Sequence, residues 1–341
     1  MHPSISVLMP IYQGEEYLRE AIDSILNQSF SDFELLIIND ASKDNSEEII
    51  LSYDDERIKY VKNPFNLGLI GTLNVGLDIA KGKYIARMDQ DDISVLNRFQ
   101  LQYDFMEANR DYIIVGTQAK IINSRYILEN PISDSAIKAK LNFGTVFIHP
   151  TVMIRRDMLI KHNLRYQEKY KHAEDYGFWV DLASYGKMAN LPQTGLYYRK
   201  HVAQYTNMYN IPMFQMVKEI RMQYLKKLGI SIHEKDLRLF EILLEKRIDY
   251  SNDKLIKEMG SFLYCFSNYF KDSEIDIKEI KKITYKYWGR ICDERQKAGF
   301  RVYKLFISSL LSYYKFNLIS HLYYIKNDYK ITRISKKNIQ N

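Results

Sequence analysis

The sequence predicts an α/β fold in which a mostly parallel central sheet carries helices on both faces, followed by an α-helical C-terminal region. In the first two hundred residues, short apolar runs alternate with segments whose apolar residues recur every three to four positions. Polar turn clusters, such as residues 39–42, follow several of these runs. Strands separated by helices favour right-handed crossovers and parallel pairing. After Ile211 the helical pattern continues alone.

Each element is predicted from its local pattern, strands at compact apolar runs and helices at stretches with one apolar face. The expected strands are residues 5–9, 34–38, 58–61 and 84–88, and the expected helices between and after them are 15–28, 46–52, 71–80 and 94–108. The expected C-terminal helices are 213–228, 234–249, 254–270, 275–293, 301–314 and 318–327. A chain of 341 residues exceeds what one core usually organises, so we expect two domains, 1–204 and 205–341.

Basic charge is concentrated in the C-terminal part. Residues 1–204 hold 23 Lys and Arg against 27 Asp and Glu, whereas residues 205–341 hold 26 against 15, a balance of +11. Residues 297–341 carry nine basic residues against Asp328 alone, interleaved with Phe and Tyr. This mixture suits an anionic membrane surface. It suits equally a helical domain with Lys and Arg on its solvated face, or a contact in a homo-oligomer.

Several classes of protein are disfavoured by composition and pattern. The two cysteines are far apart, so we expect neither a disulfide framework nor a zinc site, and a reducing cytosol fits. We expect no membrane-spanning helix, because no run of about 20 apolar residues occurs. We expect no secretion signal, because the N-terminus lacks a basic region followed by an apolar run and a small-residue cleavage site. The phosphate-binding and dinucleotide-binding glycine patterns are missing. Nucleic acid is not an expected partner, since no recognised module accompanies the basic tail.

An apolar strand at residues 84–88 runs directly into Asp89, Asp91 and Asp92. Carboxylates at a strand end suit Mg²⁺ or Mn²⁺, which take oxygen ligands and keep positions open for substrate phosphates. The alternative is an acidic turn capping the helix that begins near Ser94. Arg87 points to the same face as Asp89, which predicts a buried ion pair.

Other polar residues are expected near the same edge of the sheet. Pro10, Asp40 and Asp89 follow the first, second and fourth strands, and ligands of parallel sheets bind beyond the carboxyl ends of the strands. Two further candidates follow an apparent strand at Tyr197. His201 is a candidate metal ligand, and Arg199 is a candidate hydrogen-bond donor to a phosphate group. The alternative for His201 is a capping histidine at a domain boundary. His149 is expected near the acceptor or in a structural role.

Six short motifs then occur in the order, and at the spacing, of a known family. They are Pro-Ile-Tyr-Gln at 10–13, Asn-Asp-Ala-Ser-Lys-Asp at 39–44, Asn-Leu-Gly at 66–68, Ala-Arg-Met-Asp-Gln-Asp-Asp at 86–92, Ala-Glu-Asp-Tyr at 173–176 and Tyr-Arg-Lys-His at 198–201. Together they resemble the inverting glycosyltransferases of family 2, which have the Rossmann-like GT-A fold. The resemblance covers about residues 4–204 and implies that this part is a nucleotide-sugar-binding catalytic domain.

The resemblance implies roles for individual residues. Those implied at the nucleotide sugar are Pro10, Tyr12, Asp40, Asn66 and Asp89. Asp91, with Asp89, would hold the metal ion, and Asp175, with Glu174 as second choice, would be the base that deprotonates the acceptor hydroxyl. The alternative for that pair is an acidic first turn of a helix. The chain departs from the family pattern at Gln13, usually Asn, and at Asn39 and Ala41, where acidic and Gly residues are usual.

The implied activity is metal-dependent, inverting transfer of one sugar from a nucleoside-diphosphate sugar, by resemblance a UDP-sugar, to an acceptor hydroxyl. A glycan or lipid-linked precursor of a bacterial surface polysaccharide is the expected acceptor, and a cytoplasmic protein at the inner face of the plasma membrane is the expected location. Two alternatives are a non-catalytic scaffold that binds nucleotide or glycan, which predicts lost carboxylates, and a sugar nucleotidyltransferase, which predicts a Gly-rich first loop instead of Tyr-Gln-Gly-Glu at 12–15.

Overall fold

The computed structural model describes residues 2–201 and 210–300. The strands in the described residues are Ile5–Ile11 (β1), Phe33–Asn39 (β2), Ile58–Lys62 (β3), Tyr84–Arg87 (β4), Ile93–Ser94 (β5), Tyr112–Ile121 (β6), Ile127–Leu128 (β7), Met153–Arg155 (β8) and Lys187–Tyr198 (β9). The helices before residue 201 are Leu18–Leu26 (α1), Ser46–Leu51 (α2), Gly68–Ile79 (α3), Arg98–Ala108 (α4), Asp134–Leu141 (α5), Arg156–Lys161 (α6) and Glu174–Leu182 (α7). Those after it are Asn210–Lys227 (α8), Glu234–Leu244 (α9), Asp253–Cys265 (α10) and Ile277–Lys297 (α11).

The strands form one sheet in the order β3-β2-β1-β4-β8-β6-β9-β5, with β7 paired to β6. The four strands predicted from the sequence form a block that is parallel throughout, with Leu8 of β1 aligned to Leu36 on one side and to Arg87 on the other. β8 is antiparallel to both β4 and β6, and β6 is parallel to β9. β4, β6 and β9 therefore all run in one direction, and their carboxyl ends lie at one edge. The predicted α/β fold is confirmed.

Alternate residues of β1 face helices on opposite sides of the sheet, as the two-residue period of a strand requires. One face packs Val7 and Met9 in a core with α1 and α4. The other face, carrying Leu8, lies so close to α3 that a Cβ added at Gly76 would be 2.5 Å from Leu8 Cδ1. Helices thus cover both faces of the parallel block.

Several predicted boundaries differ from the structure. The first strand continues through Pro10 to Ile11. The main-chain groups of Leu8 and Pro10 both face β4, and the pairing of β1 with β4 ends at Leu8. Pro10 has no N–H, but at this position no β4 carbonyl is left without a hydrogen bond as a result. The helix predicted from residue 15 begins at Leu18, after a turn closed by Gly14. The helix predicted from residue 94 begins at Arg98.

The chain divides into two units at Met222 and Gln223. The predicted boundary after residue 204 lies outside the described residues, and the division of roles between 1–204 and 205–341 stays a prediction. In the second unit, the helix predicted at 234–249 ends at Leu244, and that predicted at 254–270 turns into a 3₁₀ helix at Phe266–Phe270. The predicted helices 301–314 and 318–327 lie outside the described residues. No helix in 2–201 or 210–300 is long and apolar enough to cross a membrane.

Candidate active site

The acidic loop that follows β4 brings three carboxylates together. β4 ends at Arg87, and the next residues turn out of the sheet after Met88 donates its N–H to Leu8 O. Carboxylate oxygens of Asp89, Asp91 and Asp92 all lie within 4.8 Å of one another. We refer to these three residues as the acid cluster.

Burial and mutual repulsion raise the pKa values inside the acid cluster. Burial is the largest cause of a pKa of Asp92 well above its usual range, and the Asp89 and Asp91 charges raise it further. Burial also raises the pKa of Asp89, against the attraction of Arg87. Asp92 Oδ1 accepts a hydrogen bond from Arg199 N, while its buried Oδ2 accepts none within the described part of the chain. Three converging carboxylates with one unsatisfied buried oxygen fit a hard divalent cation.

The end of β9 closes against the acid cluster. Arg199 donates its backbone N–H to Asp92 and its Nε–H to Asp91 O, both at 2.8 Å, and its guanidinium lies 2.5 Å from Glu20 Oε2. His201 Nε2 lies 2.7 Å from Asp91 Oδ2. The structure therefore brings Arg199 and His201 to the acidic loop. These N–H groups of Arg199 bind the acidic loop and Glu20 of α1.

Asp40, at the end of β2, organises the neighbouring loop. It is 3% exposed, and its carboxylate accepts hydrogen bonds from Asn63 Nδ2 at 2.9 Å, Leu67 N at 2.7 Å and Gly68 N at 2.9 Å. Asn66 remains exposed at the tip of this loop, with its Oδ1 accepting from Gly68 N. In this structure Asp40 thus fixes the loop that carries Asn66.

Hydrogen bonds join the loop after β1 to the loop after β2. Gln13 N donates to Ser42 Oγ and Gly14 N donates to Ser46 Oγ, each at 3.0 Å. Two of the residues that depart from the family pattern have left-handed backbones, Gln13 at φ 49° and Ala41 at φ 56°. Asn and Gly are the residues that adopt this conformation most readily, which explains why they are usual there. Pro10 is buried beneath these loops, and Tyr12 is 46% exposed.

Gln90 is a residue of the site that sequence analysis missed. Its Oε1 accepts from Tyr12 N at 2.8 Å, and its Nε2 donates to Tyr12 O at 3.1 Å. A Cβ added at Gly14 would be 2.7 Å from Gln90 Oε1, so Gly14 gives the amide its space. The only signal in the sequence was its place between two metal-type carboxylates.

The Glu174–Asp175 pair begins α7 in a second, mostly buried cluster. Glu174 is 6% exposed, and burial, reinforced by the Asp175 charge, raises its pKa to about 7. Burial likewise raises the pKa of Asp175, opposed by hydrogen bonds from Tyr176 N at 2.6 Å and Thr145 Oγ1 at 3.4 Å. A carboxylate with a raised pKa is a stronger base than an ordinary Asp.

Arg87 links the two clusters. It forms the predicted ion pair with Asp89, which is thereby confirmed, and only 4% of it is exposed. Its charge also opposes the rise in the pKa values of Glu174 and Asp175 that burial causes. His149 Nε2 lies 2.8 Å from Tyr166 Oη, and burial, then the Arg87 charge, holds the pKa of His149 well below its usual range. His149 is therefore held toward its neutral form.

Comparisons with known proteins agree with this geometry. A family model described as glycosyl transferase family 2 matches residues 6–164. An uncharacterized glycosyltransferase of Haemophilus influenzae is 35% identical over 283 residues, covering 77% of this chain and 85% of the relative. The UDP-Glc:alpha-D-GlcNAc-diphosphoundecaprenol beta-1,3-glucosyltransferase WfgD of Escherichia coli is 31% identical over 181 residues, covering 52% of this chain and 69% of WfgD.

Among solved structures, the S. aureus TarS fragment 1–349 in complex with UDP-GlcNAc superposes with a TM-score of 0.57 at 16% identity, covering 87% of this chain and 90% of TarS 1–349. At this identity the likeness shows the fold, and it confirms the GT-A architecture expected from the motifs.

Proposed function

The chain belongs to glycosyltransferase family 2, and from this premise we propose that it transfers one sugar from a UDP-sugar, with inversion, to a hydroxyl of a lipid-linked glycan in bacterial surface polysaccharide synthesis. The observation that carries the proposal is the convergence of the acid cluster and the Glu174–Asp175 pair around Arg87. WfgD and a second Escherichia coli relative, WfaP, are both named for a UDP-sugar donor and a diphosphoundecaprenol-linked acceptor, which supports the choice of substrates.

The donor lies, in this proposal, across the carboxyl ends of β1, β2 and β4. Pro10, Tyr12 and the loop fixed by Asp40 form the nucleotide end, with Asn66 at the loop tip. Asp89, the first residue of the acid cluster, pairs with Arg87 and follows the end of β4.

Asp91, Asp89 and His201 would hold Mn²⁺ or Mg²⁺, with Asp92 supplying the buried oxygen that has no partner in the described residues. A divalent ion bound there would supply Lewis-acid neutralisation of the charge that develops on the leaving diphosphate. Arg199 fixes the loop from the other side through its hydrogen bonds to Asp91 and Asp92. These hydrogen bonds hold the acidic loop against the residues that follow β9.

The acceptor hydroxyl loses its proton to Asp175 as its oxygen forms a bond to the anomeric carbon. The bond from that carbon to the diphosphate oxygen breaks on the opposite side, so the configuration inverts. The raised pKa of Asp175 favours proton abstraction, and the Thr145 hydrogen bond and the Arg87 charge oppose that rise. Glu174, with its pKa of about 7, lies alongside as a partly protonated neighbour.

The location of the enzyme belongs to the same proposal. We propose a cytoplasmic enzyme that meets its lipid-linked acceptor at the inner face of the plasma membrane through the basic residues of 297–341. The described residues of the second unit contribute helices only.

The test is release of nucleoside diphosphate by the purified protein, measured over a panel of nucleotide sugars with Mn²⁺, with Mg²⁺ and with chelator. The proposal expects release from a UDP-sugar that chelator abolishes, and a product whose anomeric configuration, read by NMR coupling constants, is opposite to that of the donor. Retention, or full activity in chelator, would contradict it.

A further inference from the structure

An open groove lies beside the acid cluster on the side away from the nucleotide loops. It has a volume of about 550 Å³ and is lined by Ile93, Lys120, Arg125, Tyr197 and the turn 121–124. Ile93 directly follows Asp92 in the chain, and Tyr197 precedes Arg199 by two residues. The groove therefore shares a wall with the acidic loop.

Sheet topology puts the groove on the acceptor side of the reaction. The groove lies at the carboxyl ends of β6 and β9, the same edge as the acidic loop after β4. In sheet order β2-β1-β4-β8-β6-β9, the acidic loop comes between the nucleotide loops and the groove. A donor held at β1 and β2 with its diphosphate at the acid cluster leaves this opposite side for the attacking molecule.

The spacing between the acidic loop and Lys120 suits a sugar. Ile93 is paired with Tyr197, and Tyr197 is paired with Lys120, so Lys120 lies two strand spacings, or about 10 Å, from the residue next to Asp92. This separation of main-chain positions is compatible with one sugar lying across Tyr197, between the acidic loop and Lys120. Tyr197 is 41% exposed between them, and aromatic rings of this kind present an apolar face with a polar tip.

The charge of the groove suits a diphosphate. Lys120 and Arg125 both line it, and neither forms an ion pair with any residue in the described ranges. Arg offers a planar pair of donors to phosphate oxygens and Lys a compact positive charge. The two cations are thus free for an anion, whereas Arg87 and Arg199 are committed to carboxylates.

We propose that this groove is the acceptor subsite, in which Lys120 and Arg125 bind the diphosphate of a sugar-diphospholipid and Tyr197 lies against the acceptor sugar. The inference rests on the proposed function and adds a specific claim to it. The enzyme recognises the diphosphate of the acceptor, and it does so with cations separate from those at the donor diphosphate.

The experiment compares two acceptors that carry the same sugar, farnesyl-diphospho-N-acetylglucosamine and octyl N-acetylglucosaminide. In Arg125→Gln we expect the KM for the diphosphate acceptor to rise about tenfold, and in the double variant Lys120→Gln/Arg125→Gln about 100-fold, as expected for loss of charge-assisted hydrogen bonds. The KM for the octyl glycoside should change less than twofold. Arg125 lies exposed on a turn, so its single variant should fold normally.

The matched control is Arg110→Gln/Lys161→Gln, which removes the same charge from exposed positions outside the groove and should leave both KM values unchanged. An equal rise for both acceptors, no rise for either, or an equal effect of the control would overturn the proposal. Transfer to neither acceptor by a wild-type enzyme that hydrolyses its donor would also overturn it. Absence of donor hydrolysis would instead reject the proposed function itself.

Discussion

The side chain of Gln90 forms two hydrogen bonds with the main chain of Tyr12, accepting from its N–H at 2.8 Å and donating to its C=O at 3.1 Å, across 78 residues of sequence. This contact ties the acidic loop to the loop after β1. The two loops on which the proposed donor depends are therefore joined directly.

Gln90→Ala should weaken binding of the nucleotide sugar by about 30-fold, because two hydrogen bonds of roughly 1 kcal/mol each no longer hold Tyr12 in place. Donor affinity is measured by calorimetry with Mn²⁺ present. Gln100→Ala, a matched change of an amide that bonds Asp104 on α4, is the control and should not alter affinity. Wild-type affinity in Gln90→Ala would show that the Tyr12 contact does not serve the donor.

Asp91→Asn should abolish transfer and weaken donor binding only when a divalent ion is present, because an amide oxygen is a poor neutral replacement for a carboxylate ligand. The His201 ring lies 2.7 Å from the same carboxylate, so the variant also tests whether that contact is maintained for the metal. Donor titrations are run with Mn²⁺ and with chelator. An equal loss of affinity under both conditions would assign Asp91 a structural role instead.

The raised pKa of Glu174 predicts a pH dependence of stability. Between about 4.5, the ordinary value, and about 7, the folded protein holds a proton that the unfolded chain has lost, so the free energy of unfolding falls as pH rises through this window and levels off above it. The full effect is about 3 kcal/mol. Glu174→Gln removes this pH dependence. The free energy of unfolding of the variant, relative to that of wild type, should therefore rise between pH 4.5 and 8.

Urea midpoints of Glu174→Gln and wild type, taken at four pH values across this window, measure that difference. Glu168→Gln, an exposed acid just before the same cluster, is the control and should run parallel to wild type. Parallel curves for Glu174→Gln as well would mean that Glu174 is ionised in the folded protein at ordinary pH.

The basic residues of 297–341 should give salt-sensitive binding to anionic membranes. Each contributes about 1 kcal/mol near an anionic surface, screened over about 8 Å at physiological salt. Replacing all nine Lys and Arg by Gln should abolish sedimentation with anionic vesicles at low salt, while binding to neutral vesicles stays absent throughout. If the variant sediments as wild type does, or if wild type binds both kinds of vesicle equally, the charge does not dock this protein.

Sequence analysis predicted the parallel block well because buried parallel strands are continuous apolar runs, as at Leu35–Ile38 in β2. It did not predict β6 or β8. β6 carries Gly116, Thr117 and Gln118 in its centre, where register shifts accommodate β9. β8 is only three residues long. The carboxylates of the site could be predicted because metal chemistry requires them, whereas partners such as Gln90 and Tyr12 depend on non-local geometry that no local pattern encodes.

The base assignment is the centre of this account, and Asp175→Asn tests it most directly. Single-turnover transfer and donor affinity are measured on the same preparation, with Asp181→Asn, on the same helix, as control. We expect turnover to fall by about 10² or more with donor affinity nearly unchanged, because proton abstraction matters in the transition state and not in the bound ground state. Undiminished turnover, or a loss confined to donor affinity, would contradict the account.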